Sequence, residues 1–223
     1  MKYLDKRAST HYKIPEDRLM ESAGRAIAKE TLRIVLEESG LKPGALRIVV
    51  CSGKGNNGGD GLVAARYFIT AGAGVKVFII EPGAAGYGKL VARNIRRAEK
   101  AGVKISPIPG DNPEGLLPEF EKADILLDAL LGISAAGSPA GSVGSVIRLM
   151  NKSAKTIIAV DIPSGLDPDT GRRPGVSIRA RHTLTLGFAK TGLLAPSARK
   201  STGKIRILDI GYPAGLAREA RKC

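Results

Sequence analysis

The sequence predicts an α/β fold: a three-layer sandwich with a mostly parallel central sheet and helices on both faces. Three observations predict it. Short, continuous apolar runs rich in Val, Ile and Leu recur along the chain, as strands buried on both faces do. Segments of helical character separate the first five of those runs. The chain has 223 residues, 43% hydrophobic and 25% charged, with 28 Gly and 13 Pro, which suits a single globular domain over 1–223.

The elements follow in order. Residues 1–12 read as a short helix. Pro15, followed by Glu16 and Asp17, opens a longer amphipathic helix whose apolar stripe is Leu19, Met20, Ala23, Ile27, Leu32, Val35 and Leu36, and Gly40 ends it. Strand-like runs come at 48–51, 75–80, 103–108, 125–127, 156–160, 183–186 and 205–208. Helices are expected at 61–71, 89–100, 112–122 and 142–152. The result is a doubly wound, Rossmann-like sheet with two helices prefixed and a β-rich C-terminal end. In such a sheet, ligands sit outside the carboxyl ends of the strands. Every loop after a strand is therefore a candidate site.

Composition excludes several classes. No stretch approaches the roughly 18–20 apolar residues that span a bilayer, and residues 1–10 lack the apolar core of a signal peptide. A cytoplasmic protein with no membrane partner is expected. Cys51 and Cys223 belong to no CxxC motif; Cys51 reads as a small hydrophobe ending a buried strand. His11 and His182 have no ligand-type neighbours at useful spacing. Formal net charge is +14, and residues 151–223 hold 14 Lys/Arg against 5 Asp/Glu. The basic residues are scattered, aromatics are 4% and Trp is absent, so nucleic acid is not the expected partner. A phosphate-rich small molecule, or simple solubility, accounts for the balance at least as well.

Three strand-end loops carry chemistry. The first is Gly-Lys-Gly-Asn-Asn-Gly-Gly-Asp-Gly at 53–61, between a strand and a helix. Backbone amides at a helix N-terminus favour an anion, and the five glycines allow close approach of a ligand and positive φ. Gly53, Gly55 and Gly58 satisfy GxGxxG, with Glu81 ending the next strand, formally a dinucleotide fingerprint. Asp60, however, would repel a pyrophosphate there, leaving it to cap the helix or to bond a ligand hydroxyl. Asn56 and Asn57 offer oxygens to a cation or amides to a ligand.

The second loop begins at Asp128, in Asp-Ala-Leu-Leu-Gly, and continues through the small residues 133–138. The third runs from Val160 to Asp167, where Pro163 and Gly165 set a rigid turn that presents Asp161 and the Ser164 hydroxyl. A shielded carboxylate there can act as general acid or base. Plain readings exist as well: Asp128 capping a turn, Asp161 in an Asx-turn. A serine hydrolase is excluded, since GxSxG and a triad histidine are both missing. An ordinary dehydrogenase lacks a proton-transferring His or a metal constellation beside its GxGxxG.

Taken in order, GKGNNGGDG, DALLG, VDIPSGLDPDTG, TLTLGFAKTG and DIGYP resemble the NAD(P)H-hydrate epimerases, the YjeF N-terminal domain family, over about residues 3–213. Leu19-Met20-Glu21-Ser22-Ala23-Gly24 is similar to that family's LMExAG segment. The resemblance implies a substrate, NADHX or NADPHX, whose R and S epimers at C6 of the reduced nicotinamide ring are interconverted for an S-specific dehydratase. It implies substrate binding by Asn56, Asn57, Gly58, Gly59 and Asp60, by Gly132, Ile133, Ser134, Ala135, Ala136, Gly137 and Ser138, and by Asp161. It implies one K+ per subunit on Asn57, Asp128 and Ser164, with Asp161 and Lys190 as catalytic residues and a homodimer as the assembly. Hard oxygen ligands suit potassium, and a cation beside the glycine turn offsets the carboxylates near the substrate phosphates.

Lys54 stands where the family often has proline, and the 132–144 segment opens Gly-Ile-Ser in place of Gly-Thr-Gly. The dehydratase activity is expected on a separate chain. The rival reading is a non-catalytic, nucleotide- or RNA-linked scaffold on the same domain. Scaffold versions should have degraded loops, whereas Asn57, Asp128, Asp161, Ser164 and Lys190 are all present.

Overall fold

A computed structural model describes residues 7–8, 10–84, 86–110, 113–213 and 215–216. Seven strands form one sheet: β1 (Arg47–Ser52), β2 (Gly74–Ile79), β3 (Lys104–Pro107), β4 (Ile125–Ala129), β5 (Thr156–Val160), β6 (His182–Leu186) and β7 (Lys204–Leu208). Their order is β3-β2-β1-β4-β5-β6-β7, and every pairing is parallel. The order reverses between β1 and β4, the switch point where such sheets bind ligands. The part of residues 1–12 expected as a short helix falls largely outside the described residues, as does Cys223.

Successive side chains of a strand point to opposite faces, so the runs that looked continuously apolar feed two cores. Ile48, Val50, Leu127 and Ile158 join one, against α1 (Glu16–Ser39), α2 (Asn56–Thr70) and α3 (Lys89–Lys100). Val49, Cys51, Leu126 and Ile157 join the other, against Phe120 of α4 (Leu117–Lys122) and Ile147 and Met150 of α5 (Gly141–Lys152). Central strands β4 and β5 are buried almost throughout, while edge strands β3 and β7 are half-exposed. From β5 the chain reaches β6 without a helix, and α6 (Thr191–Leu194) and α7 (Arg199–Thr202) lie between β6 and β7.

The structure corrects the first loop. Helix α2 starts at Asn56, five residues earlier than expected, so most of the nonapeptide is helix. Propensity argues against this, since each interior Gly costs about 1 kcal/mol. Packing overrides it. A Cβ on Gly59 would meet the Met20 side chain at 2.7 Å, and one on Gly61 would meet Ala129 Cβ at 2.7 Å. Nor does any glycine of this run take positive φ. Their service is close approach alone. Gly24, in the LMExAG-like segment, does the same between helices: a Cβ there would lie 2.3 Å from Val63 Cγ1.

Candidate active site

The tips of β1, β4, β5 and β6 are neighbours in the sheet, so their loops converge at one edge. At the tip of β1, the Gly53 amide donates to the Ala129 carbonyl (2.9 Å), and the buried Ser52 hydroxyl reaches the carbonyls of Gly53 (3.2 Å) and Gly58 (3.1 Å). Gly55 is the N-cap of α2 and supplies no side-chain cap. Asn57 is buried, and its amide donates to the Leu131 carbonyl at 2.8 Å, tying the first loop to the second.

Asp128, at the tip of β4, is 0% exposed. Its Oδ1 accepts from the Ser164 hydroxyl (2.6 Å) and more weakly from the Leu130 amide (3.3 Å). Its Oδ2 accepts from the Ser164 amide (2.8 Å), while the Ser164 oxygen accepts from the Leu131 amide (2.9 Å). Burial pushes the Asp128 carboxyl up to about 6, against the lowering effect of the bonds from Ser164 and Leu130. No cationic side chain pairs with it among the described residues. Asn57, Asp128 and Ser164 thus gather around the Leu130–Leu131 peptide, joining three loops.

Asp161 follows β5 directly, and its φ of +64° puts it in the left-handed region. Few non-glycine residues adopt it, and Asp and Asn do so most readily. The turn is held by its own amide, which donates to Leu184 O at 2.8 Å across to β6. The carboxylate then faces the β6 tip. Oδ1 accepts from the Leu186 amide (3.0 Å) and from Lys190 Nζ in a close ion pair. Lys190 also donates to Thr185 Oγ1 (2.9 Å) and to the Leu186 carbonyl (3.1 Å). An ammonium has three N–H donors, and all three are occupied. Both residues are buried, at 8% and 7% exposure.

A cavity of about 920 Å³ opens at this edge, within the range of small-molecule sites. Asn56, Asn57 and Asp60 line it, as do Gly132, Ile133, Ser134, Ala135, Asp161 and Lys190. Gly58 and Gly59 do not. Once α2 begins at Asn56, helical periodicity puts residues 56, 57 and 60 on one side, while Gly58 backs onto Gly53 and Gly59 onto Met20. Ala136 and Gly137 line a separate hollow of about 20 Å³ beside Ser164. The loop turns at Gly137 (φ +80°), and Ser138 packs over Gly175. Asp60 lies inside the helix, not at its cap. Glu81 is exposed and outside the lining, so the formal ribose acid of the GxGxxG reading is not at this site.

Several lining residues carried no sequence signal as site residues. Thr10, Glu16, Leu19, Met20 and Ala23 come from the N-terminal side, Leu90 from α3, and Ile210 and Tyr212 from the segment after β7. The LMExAG-like and DIGYP segments contain five of these, but an aliphatic wall and an aliphatic core look alike in sequence. Thr185, the second partner of Lys190, was hidden in the same way.

The model of the family described as YjeF-related protein N-terminus matches residues 16–192. The chain is 38% identical over 216 residues to the NAD(P)H-hydrate epimerase of Elusimicrobium minutum, covering 97% of this chain and 95% of that one. It is 38% identical over 221 residues to the bifunctional NAD(P)H-hydrate repair enzyme Nnr of Thermofilum pendens, covering 99% of this chain and spanning 41% of the relative. Among solved structures, yeast ynu0 superposes with a TM-score of 0.80 at 23% identity, over 98% of this chain and 89% of that one, a likeness of fold.

Proposed function

The chain belongs to the family of YjeF-related protein N-termini, and on that premise we propose that it is an isomerase, an NAD(P)H-hydrate epimerase that interconverts the R and S forms of NADHX and NADPHX. The observation that carries the reading is the buried Asp161–Lys190 pair, set in a left-handed turn at the wall of a cavity of about 920 Å³. The experiment supplies a mixture of R and S hydrates with a separate S-specific dehydratase. Adding this protein is expected to drive consumption of the R form to completion. A folded protein that leaves the R pool untouched overturns the reading and favours the scaffold. A dehydratase on another polypeptide, a homodimer and a cytoplasmic setting belong to the same proposal.

The chemistry follows from the substrate. C6 of the hydrate bears both a hydroxyl and the ring nitrogen. Protonation of that hydroxyl lets the nitrogen lone pair expel water, giving an iminium-like ring cation; water then adds to the opposite face and loses a proton. Asp161 gives the first proton and takes the second, so the balance closes with no redox step. Its Oδ1 is held by Lys190 and the Leu186 amide, leaving Oδ2 for the exchange. Lys190, with its donors occupied, is a positioning residue that aims the Asp161 carboxyl group.

The resemblance also implies potassium, and the donor set fits it. Asp128 is a fully buried carboxylate with no cationic side-chain partner among the described residues, and Asn57 and Ser164 add neutral oxygens beside it. A bound cation would supply positive charge next to a phosphate-bearing ligand. Linkage gives a test by stability. The Asp128 pKa in the fold is raised from 3.8 to about 6, so the stability of the neutral acid is present below pH 4 and lost as pH rises through about 6. In potassium-free buffer that loss is expected to reach about 2–3 kcal/mol. At pH 8, exchanging N-methylglucamine for potassium is expected to raise the melting temperature of the wild type and leave Asp128→Asn unchanged. Equal melting in the two buffers argues against a cation on Asp128.

A further inference from the structure

Among the described residues, five charged side chains line the cavity: Glu16, Lys54, Asp60, Asp161 and Lys190. Lys190 is committed to Asp161, which leaves Lys54 as the one lining cation without an ion pair among the described residues. Lys54 sits in the turn between β1 and α2, exposed, at the mouth of the cleft. The walls around it are largely aliphatic, from Leu19, Met20, Leu90, Leu131, Leu186 and Ile210. The arginines of α3 offer no substitute. Arg93 and Arg97 both hold Asp17, at 2.9 and 3.1 Å, and neither they nor Arg96 line the cavity.

This distribution poses an electrostatic problem for any phosphate-bearing ligand. Among the described lining residues, the Lys190 ammonium is already bound to Asp161. A ligand phosphate entering this cleft is held best where a free cation faces it. A lysine ammonium is a compact charge on a flexible stem, able to follow a phosphate group without fixed geometry.

We propose that Lys54 is the phosphate-recognising residue of this cavity, pairing its ammonium with a phosphate of the dinucleotide and setting affinity by ligand charge. The proposal rests on the dinucleotide reading of the cavity. Lys54 determines specificity and takes no part in the proton transfers. Because it is exposed, its contribution is moderate and is screened by salt.

The test measures calorimetric binding of adenosine, ADP-ribose and 2′-phospho-ADP-ribose to the wild type and to Lys54→Gln, Lys54→Arg and Lys54→Glu. Thermal unfolding serves as the check on folding. Lys54→Gln is expected to weaken ADP-ribose about 5- to 10-fold and leave adenosine unchanged. Lys54→Glu should weaken it further, Lys54→Arg should restore most of the affinity, and the difference should shrink in 0.5 M salt. An equal loss for both phosphorylated ligands assigns Lys54 to the pyrophosphate; a loss confined to the 2′-phosphorylated ligand assigns it to that group. Either supports the proposal. In turnover of the hydrate, KM should rise by the same factor, with a much smaller change in kcat.

Unchanged binding of both phosphorylated ligands by folded Lys54→Gln overturns the proposal, and the epimerase reading stands if the wild type still turns over hydrate. Lys54-dependent binding by a wild type that never epimerises hydrate leaves Lys54 standing and removes the reaction. A wild type that binds neither phosphorylated ligand overturns both.

Discussion

Asp161→Asn is expected to lower kcat/KM for epimerisation about 100- to 10,000-fold, the usual worth of a positioned acid/base group, while binding of ADP-ribose changes little. The substitution is unusually clean. Asn tolerates left-handed φ as well as Asp does, so the +64° turn is retained. The amide oxygen can still accept from Lys190 and the Leu186 amide. What disappears is the ability to release and take up a proton at Oδ2. Single-turnover measurement with R hydrate separates this loss from a binding defect. Turnover within a few-fold of wild type would remove Asp161 from the chemistry.

The second large effect falls on stability. Gly53→Ala and Gly58→Ala are each expected to cost at least about 3 kcal/mol, or to prevent folding, out of the roughly 5–15 kcal/mol that holds a domain together. A Cβ on Gly53 would lie 1.8 Å from the Leu130 carbonyl oxygen, and one on Gly58 would lie 2.0 Å from the Gly53 carbonyl oxygen. Both obstacles are backbone, in the loops that carry Asp128 and Asn57, so neither can swing aside. Gly55→Ala is the control. Nothing lies within 4 Å of its Cβ direction, and its loss as an N-cap is worth about 1 kcal/mol or less. Urea denaturation of the three variants reads the contrast. Equal midpoints would mean that the close approaches carry no weight.

These glycines show how far sequence reading reaches. The motif 53–61 was legible as a ligand-bearing connection between a strand and a helix. Its interpretation as a loop with positive φ was not correct, because glycine has low helix propensity in isolation and only burial against Met20, Val50 and Ala129 makes the helical path favourable. GxGxxG therefore marks two tight backbone contacts and one open position. The same limit explains the binding loop at 132–138. Its composition looked uniform, yet a turn at Gly137 sends Ala136 and Gly137 to a second hollow and Ser138 away from the cavity.

From sequence alone came the α/β class, the seven strands within one or two residues for most of them, the three loaded strand ends, and the family. All of these are written locally, in apolar runs, helix signals and contiguous motifs. The tertiary structure alone decided which charges meet. Asp161 and Lys190 lie on different loops, and they pair because β5 and β6 are parallel neighbours whose tips share an edge. Asp128 is, among the described residues, a buried carboxylate with no cationic partner for a related reason: β4 lies mid-sheet, and its tip is covered by the Ser164 and Leu130 segments. Among the described residues, Lys54 is the lining cation left without an ion pair, since Lys190 is engaged by Asp161. Distance along the chain holds no information about such partners. They are set by strand order and by side chains that fill the same space.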